Sequence, residues 1–180
     1  MIRIIGGIYK GKRLKKVPSS RVRPMPHKLR ETMFNIIQDD VKSSLFLDGF
    51  AGTGSVGIEA LSRGAEKVVF VDEFFSAVKV IKSNLAKIEV DEKVRVMHKE
   101  FNRAVIQLAQ EGMQFDVIFL DPPYRLLDER NPLKVIKKRE ILKPGGRIIL
   151  RRHYKTQFDA KHFKLRRQAK IGDDTLAFYE

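Results

Sequence analysis

Two short stretches of this sequence carry residues that could do chemistry. In the first, Gly52, Gly54 and Gly57 fit the pattern G-x-G-x-x-G directly after an apolar segment. Glycine accepts positive φ and lets a ligand lie against the backbone, so this turn predicts a nucleotide-type site at the start of a helix. The second stretch is Asp121-Pro122-Pro123-Tyr124. Its prolines stiffen the backbone, so the carboxylate and the first proline carbonyl can be held as fixed hydrogen-bond acceptors.

These two acceptors suit an exocyclic amine on a nucleobase. Such an amine is a poor nucleophile, because its lone pair is delocalised into the ring. Acceptors on its two protons would favour a pyramidal nitrogen whose lone pair points at a donor methyl group. Tyr124 adds a flat face on which an unpaired base could stack.

The glycine pattern alone leaves both NAD and S-adenosylmethionine open as the ligand. Asp72 follows at the distance expected of a ribose-binding carboxylate, which either ligand would use. Two features outside the glycines favour S-adenosylmethionine. One is the acidic residue Asp48 inside the preceding apolar segment, and the other is the acceptor pair at Asp121 and Pro122.

A parallel α/β sheet must position these residues. From Leu45 onward, short apolar segments alternate with segments whose apolar residues recur at helical spacing. The five strands that this pattern predicts are 45–47, 68–71, 94–97, 115–120 and 147–150. A helix near 131–142 should end at Lys143-Pro144-Gly145-Gly146, and the segments 163–169 and 175–179 predict a terminal antiparallel hairpin. The predicted fold class is α/β, with the seven-stranded, mostly parallel sheet of Rossmann-like class I methyltransferases.

Residues 1–42 are predicted to form a basic appendage to a methyltransferase domain at 43–180. A bent strand pair over 2–17 should precede a helix from about residue 27 to 39. The first 30 residues hold ten Lys and Arg and no acid, in a chain of net charge +14 and pI near 10.1. Runs of residues whose charges have the same sign usually bind phosphate groups. The alternative is a lysine-rich surface that serves solubility or thermostability. The candidate phosphate-binding residues are Lys10, Lys12, Arg13, Lys15, Lys16, Arg23 and Arg30.

The composition excludes several classes of function. Without cysteine the chain has no thiol nucleophile, disulfide framework or cysteine-based zinc site. The four histidines show no metal-ligand spacing, so we expect no metal. Nothing at the amino end resembles a signal peptide, and no apolar run approaches the roughly 20 residues needed to cross a bilayer. We therefore expect a soluble, cytoplasmic monomer that contacts no membrane.

The combination of motifs resembles the bacterial 16S rRNA (guanine-N2)-methyltransferase family of the small ribosomal subunit. The Asp121 motif is shared by amine methyltransferases acting on adenine, cytosine, guanine or protein glutamine, and the amino-terminal segments single out this family. The resemblance implies methyl transfer from S-adenosylmethionine to a guanine N2 amine of 16S rRNA, in the small subunit or its assembly intermediate. The basic residues would then contact RNA. The matching pieces are Arg3-Ile4-Ile5-Gly6-Gly7 with Lys10-Gly11, Arg23-Pro24 with Arg30-Glu31-Thr32-Met33-Phe34-Asn35, Phe50-Ala51-Gly52-Thr53-Gly54-Ser55 with Gly57-Ile58-Glu59-Ala60-Leu61-Ser62-Arg63-Gly64, and Asp121-Pro122-Pro123-Tyr124.

The resemblance also implies a set of residues that bind the cofactor. Asp48 would lie under its methionine end, and Asp72 would accept from the ribose hydroxyls. Glu100 would face the adenine amine, and Phe101 would pack on the adenine ring. A second interpretation of Glu100 stays open, namely an acid stabilised by the dipole at a helix N-terminus. The cofactor-binding set is Asp48, Phe50, Ala51, Gly52, Gly54, Asp72, Glu100 and Phe101.

The sequence also departs from the family pattern, and other functions stay open. The family usually has threonine and aspartate where this chain has Met25 and His27, and an acidic residue where it has Arg151-Arg152. One alternative is an adenine-specific (N6) DNA or RNA methyltransferase, although the DNA enzymes generally carry a target-recognition domain. Another is a non-enzymatic, basic RNA-binding or ribosome assembly protein on a methyltransferase fold. That protein would need a broken glycine turn or a lost Asp121.

Overall fold

A mostly parallel sheet forms the middle of the molecule, in a computed structural model that describes residues 2–18, 24–123, 127, 131–156 and 160–180. In the described residues this sheet has seven strands in the order β5-β4-β3-β6-β7-β9-β8. Strands β3 to β7 run parallel, and β9 pairs antiparallel with both β7 and β8. Two shorter strands form a separate antiparallel pair. The strands are β1 (Ile2–Arg3), β2 (Arg13–Leu14), β3 (Leu45–Gly49), β4 (Lys67–Asp72), β5 (Val94–His98), β6 (Phe115–Leu120), β7 (Leu142–His153), β8 (Leu165–Ile171) and β9 (Asp174–Tyr179).

The strand order reverses direction between β3 and β6. From β3 the chain moves outward through β4 to β5, then returns to the other side of β3 for β6 and β7. Gly49, the last residue of β3, therefore pairs with Leu120, the last residue of β6. In open α/β sheets the crevice at such a reversal, outside the carboxyl ends of the strands, is where ligands bind.

Helices cover both faces of the sheet, because its central strands are apolar on both sides. Phe46 belongs to a buried cluster with α1, α3 and α4 on one face. Its neighbour Leu47 belongs to a second cluster with α5 and α6 on the other face. This alternation is the period of two expected of a strand that is buried on both faces. The helices are α1 (His27–Ile36), α2 (Gln38–Val41), α3 (Ser55–Ser62), α4 (Phe75–Leu85), α5 (Phe101–Gln110) and α6 (Pro132–Arg139).

The amino-terminal segment is fastened to α3 by buried polar contacts. Glu59, which is fully buried, accepts hydrogen bonds from the amides of Ile5 and Gly6, both at 2.8 Å. Ser62, one turn later, accepts from the Tyr9 amide at 2.9 Å through its hydroxyl. The same hydroxyl donates to the Gly6 carbonyl at 2.5 Å. Glu59 and Ser62, one turn apart on the same face of α3, thus hold the backbone of the amino-terminal segment.

Gly7 shows how closely this segment approaches α3. Its φ is +75°, and a Cβ there would lie 1.7 Å from the Ser62 carbonyl oxygen. Only glycine fits at such a distance. Apolar residues of the segment, including Ile2, Ile4 and Leu14, join the same buried cluster as α3 and α4. The division of the chain at residue 42 stays a prediction, and the packing described here crosses it.

Most predicted strand bounds differ from the observed ones by a few residues, and two predicted helices end at other places than expected. The first predicted helix is divided into α1, which ends at Ile36, and the short α2. The predicted end of the later helix at Lys143-Pro144-Gly145-Gly146 is wrong, since α6 ends at Arg139 and is followed by Glu140 in the left-handed conformation, φ 53°. Residues 143–146 instead lie inside β7, as an irregularity between the paired positions Leu142 and Arg147.

Two kinds of feature are absent from the described residues. No helix within them has the length and apolarity needed to span a bilayer. Within the same ranges, no group of three or more His, Cys, Asp or Glu side chains could hold a metal ion.

Candidate active site

The glycine turn leaves the carboxyl end of β3 through left-handed backbone. Phe50, Gly52 and Gly54 have φ values of 63°, 56° and 74°, and α3 begins at Ser55. The two glycines adopt these angles without the steric penalty that a Cβ brings. Phe50 adopts its angle against that penalty, and backbone strain of this kind in a non-glycine residue clusters at ligand-binding sites.

Two buried aspartates hold the turn in place. Asp72 accepts from the Gly52 amide at 2.8 Å and, through its other oxygen, from the Phe74 amide at 2.9 Å. Asp48 accepts from the Gly57 amide at 2.8 Å, which caps the first turn of α3. Burial raises the pKa of Asp72 and raises that of Asp48 well above its usual range, although the amide donors oppose the shift. Each carboxylate oxygen keeps a second lone pair that a ligand could use.

Gly57 serves packing instead of ligand approach. A Cβ at this position would lie 2.3 Å from the Phe70 ring and 2.9 Å from Val68. Both of these side chains belong to β4. The third glycine of the motif therefore lets α3 lie close against the sheet, which is the usual task of this position.

A cleft opens beside the turn, at the ends of β4 and β5. Its walls include the rings of Phe50 and Phe101, which stack with their centroids 4.9 Å apart and 24° between their planes. Apolar ring surface beside carboxylates suits an adenosine, whose base needs apolar contact and whose hydroxyls and amine need acceptors. Carboxylates also complement the positive charge of a sulfonium. These residues fit S-adenosylmethionine; the cleft is lined by Phe50, Val71, Asp72, Glu73, Lys99, Glu100 and Phe101.

Glu100 caps a helix and also lines the cleft, and its contact with the adenine amine stays a prediction. Its side chain accepts from the Arg103 amide at 3.0 Å and so caps α5, while the residue also lines the cleft. Phe101 is only 3% exposed, and its ring lies so close to Gly49 that a Cβ there would be 2.6 Å away. The less buried ring of Phe50 therefore covers much of Phe101 on the cleft side.

Asp121 lies at the same edge of the sheet, directly beyond β6. Its amide donates to the Gly49 carbonyl at 3.5 Å, which places it beside the end of β3. Its carboxylate accepts from the guanidinium of Arg151 at 2.8 Å. Burial raises the pKa of Asp121, and Arg151 opposes this shift. Pro122 is buried and Pro123 is exposed, whereas Tyr124 lies outside the described residues.

The basic residues predicted to contact RNA divide into exposed and buried positions. Lys10, Lys12, Arg13, Lys15 and Lys16 are exposed, on and around β2. Together they form a positively charged surface on the segment that is fastened to α3. Arg23 lies outside the described residues.

Arg30 does not belong to this surface, and its predicted RNA contact is corrected. The side chain is 2% exposed and donates to the Arg3 carbonyl at 2.5 Å. Its Nε lies 3.7 Å from Glu59. Burial lowers its pKa, and the carboxylate of Glu59 opposes that shift. Arg30 is therefore an internal partner of the acid that holds the amino-terminal segment.

Charged residues near the site include three that were not among the predicted ones. Glu73 and Lys99 line the cleft, and each directly neighbours a predicted residue in the sequence, Asp72 or Glu100. Arg151 was noted as a departure from the family pattern and was not predicted to contact Asp121. Its position after the fifth predicted strand was the available signal, because the ends of neighbouring parallel strands meet at one edge.

One family model covers almost the whole chain. The family described as conserved hypothetical protein 95 matches residues 2–180. The chain belongs to this family. Proteins named ribosomal RNA small subunit methyltransferase D in Haemophilus influenzae and Escherichia coli are 33% and 36% identical to it over 149 and 130 residues. These matches span 83% and 71% of this chain, and 77% and 64% of the relatives.

A solved structure matches the full length of the fold. The structure of a hypothetical protein from Thermus thermophilus has a TM-score of 0.86 and 27% identity, and the match covers 100% of this chain and 99% of that one. The predicted fold class is confirmed, as is the resemblance to the rRNA methyltransferase family. The roles of the individual site residues stay predictions.

Proposed function

We propose that this protein is an S-adenosylmethionine-dependent methyltransferase that modifies the N2 amine of a guanine in 16S rRNA. The main support is the meeting of two features at the reversal of the strand order. The cleft is lined by residues at the carboxyl ends of β3, β4 and β5, and Asp121 follows β6, so both lie at one edge of the sheet. A cofactor in the cleft and an amine at Asp121 would therefore be neighbours.

The residues of the cleft would hold the cofactor. Bound S-adenosylmethionine supplies a methyl group that the positive sulfur already activates for transfer. Asp72, Glu73 and Glu100 offer acceptors for the ribose hydroxyls and the adenine amine, and the ring of Phe50 offers apolar contact. The amides of the turn stay in place because Asp48 and Asp72 hold them.

Asp121 would act on the target base. Its carboxylate and the Pro122 carbonyl can each accept a hydrogen bond from one N–H of the amine, so the nitrogen lone pair is directed toward the cleft. This contribution is positioning, which can supply much of the rate of a reaction between two bound partners. Tyr124 would stack on the base.

The exposed basic surface of the amino-terminal segment would contact the RNA backbone. Each phosphate that a lysine or arginine neutralises releases counterions, so such binding weakens steeply as salt rises. The same rRNA segment would also have to reach Asp121 at the end of β6. The small subunit or an assembly intermediate would present that segment.

The test is transfer of labelled methyl from S-adenosylmethionine to small-subunit RNA, followed by nucleoside analysis. We expect label in N2-methylguanosine. Asp121→Asn should bind S-adenosylmethionine with nearly wild-type affinity by calorimetry but lose at least about 100-fold in rate, the effect typical of a lost positioned acid–base group or charge-stabilising contact. Asp39→Asn, the same change at an exposed residue of α2, is the matched control and should be active. Label in N6-methyladenosine, or no transfer at all, would contradict the proposal.

A further inference from the structure

Arg151 is the nearest charged partner of Asp121 and lies on the strand beside it. Leu120 pairs with Leu150, so the residues that follow them, Asp121 and Arg151, lie side by side at the edge of the sheet. Nη1 of Arg151 donates to Oδ2 of Asp121 at 2.8 Å. Arg151 is 8% exposed, and 22% of the Asp121 side chain is exposed. The contact is therefore largely shielded from water.

A second carboxylate fixes the arginine in this orientation. Asp174, at the start of β9, accepts from Nε of Arg151 at 3.0 Å and from Nη2 at 3.2 Å. Such two-point pairing fixes the plane of a guanidinium as well as its position. The remaining amino group of the fork, Nη1, points at Asp121 as a result.

The two carboxylate oxygens of Asp121 differ in their hydrogen bonds. Oδ2 is taken by Arg151, whereas no hydrogen bond from the described part of the chain reaches Oδ1. Since a carboxylate oxygen has two lone pairs, Oδ1 can accept an N–H from an incoming amine. The arginine thus fixes the carboxylate through one oxygen and leaves the other for substrate.

We propose that Arg151, anchored by Asp174, is a positioning residue for methyl transfer that orients the Asp121 carboxylate and holds a positive charge beside it. The inference rests on the proposed function, since it assigns Asp121 to the target amine. Arg151 itself would touch neither the cofactor nor the base. Its effect on the reaction passes entirely through Asp121.

The surrounding charges determine the direction of the pH effect. Burial raises the pKa of Asp121, Arg151 lowers it, and Asp174 raises it. Asp48, behind the glycine turn, is a further acid close enough to interact with Asp121. An ionised acceptor is lost as the pH falls through this pKa, so the acid limb of the rate profile should follow it.

Two substitutions should move the acid limb in opposite directions. Arg151→Gln removes the positive charge, and an opposite charge at this distance shifts a carboxyl pKa by about one unit or more. The midpoint of the acid limb in kcat should therefore rise by about one pH unit, with activity largely restored at alkaline pH. Asp174→Asn removes a negative charge and should lower the midpoint. Arg151→Lys keeps the positive charge but loses the two-point pairing with Asp174, so it should keep a midpoint near that of the wild type while its rate falls.

The opposite signs distinguish positioning from a structural role. Both substitutions break the same Arg151–Asp174 pair, so a cluster that only stabilises the fold would give losses that do not depend on pH in this way. Arg147→Gln is the matched control, because this arginine lies on the same strand and pairs with Asp40 instead. Its acid limb should coincide with that of the wild type.

A direct titration keeps the inference separate from the proposed function. The carboxyl carbon of Asp121 can be followed by NMR against pH in wild type, Arg151→Gln and Asp174→Asn, with Asp121→Asn to assign the signal. A midpoint that rises in the first variant and falls in the second supports the inference even if the rRNA is not methylated. Unmoved or equally moved midpoints, in an enzyme that does methylate rRNA, would overturn it and leave the proposed function intact.

Discussion

Replacing Glu59 by glutamine tests how the amino-terminal segment is held to α3. The carboxylate is fully buried and accepts from two backbone amides at 2.8 Å and from Arg63 at 2.9 Å, with Arg30 at 3.7 Å. Glutamine keeps the size of the side chain but removes its charge. Its amide group must then face at least one of these donors.

The cost can be worked from these contacts. A hydrogen bond to a charged group contributes about 1.5–3 kcal/mol. Removing one partner of a buried ion pair costs about 3–5 kcal/mol, because the other charge stays buried. These two costs overlap, so we expect Glu59→Gln to lower the free energy of unfolding by about 3–5 kcal/mol. For a chain of this length that corresponds to roughly 10 °C in Tm.

Urea unfolding followed by circular dichroism gives this free energy. Glu31→Gln is the matched control, since Glu31 is exposed on α1 and its replacement should change stability by no more than about 0.5 kcal/mol. Hydrogen exchange adds a local measurement, and the amides of Ile5 and Gly6 should exchange faster only in Glu59→Gln. If the two variants unfold at the same urea concentration and protect these amides equally, Glu59 does not hold the segment.

Three further predictions address the glycine turn and the basic surface. Gly57→Ala should lower the free energy of unfolding by about 1–3 kcal/mol, since its Cβ would lie 2.3 Å from Phe70; an unchanged Tm would contradict the packing described here. Asp72→Asn should weaken S-adenosylmethionine binding about tenfold or more in calorimetry, because the turn loses charge-assisted bonds; equal affinity would show that the turn supports itself. Charge reversal to Glu should spare cofactor binding but weaken rRNA association and flatten its salt dependence; an unchanged salt slope would mean that the charge is only a solvated surface. The residues to reverse are Lys12, Arg13, Lys15 and Lys16.

The sheet was predictable because its strands are apolar on both faces and are separated by segments whose apolar residues recur at helical spacing. Such strands appear as short apolar runs. The observed bounds of β6, Phe115–Leu120, are the same as the predicted ones. Lys143-Pro144-Gly145-Gly146 could not be placed in the same way. Proline and glycine mark a break in regular structure, and the same residues suit a helix end and an irregular stretch within a strand. Only pairing with β6, distant in sequence, decides between them.

The same limit explains which site residues could be found. The glycine turn and the Asp121 motif were recognisable because each is continuous in sequence. Arg30 and Arg151 are basic residues whose partners lie far along the chain, at Glu59 and at Asp121. A buried arginine and an exposed one look alike in sequence, so the assignment of Arg30 to the RNA surface failed. Helical spacing did offer a signal, because Met33, Phe34 and Ile37 lie three, four and seven residues after Arg30 and place it on the buried face of α1.

Positive charge on the outermost strand, β8, has a consequence other than RNA binding. This strand is the last strand of the sheet on its side, and exposed basic side chains occupy Arg166, Arg167 and Lys170. An open strand edge with unpaired amides and carbonyls can template pairing with another chain, and charged side chains along it prevent this. Two copies that met edge to edge would bring like charges together. Part of the net charge of +14 therefore lies where it disfavours edge-to-edge pairing of two sheets, a consequence that does not depend on RNA.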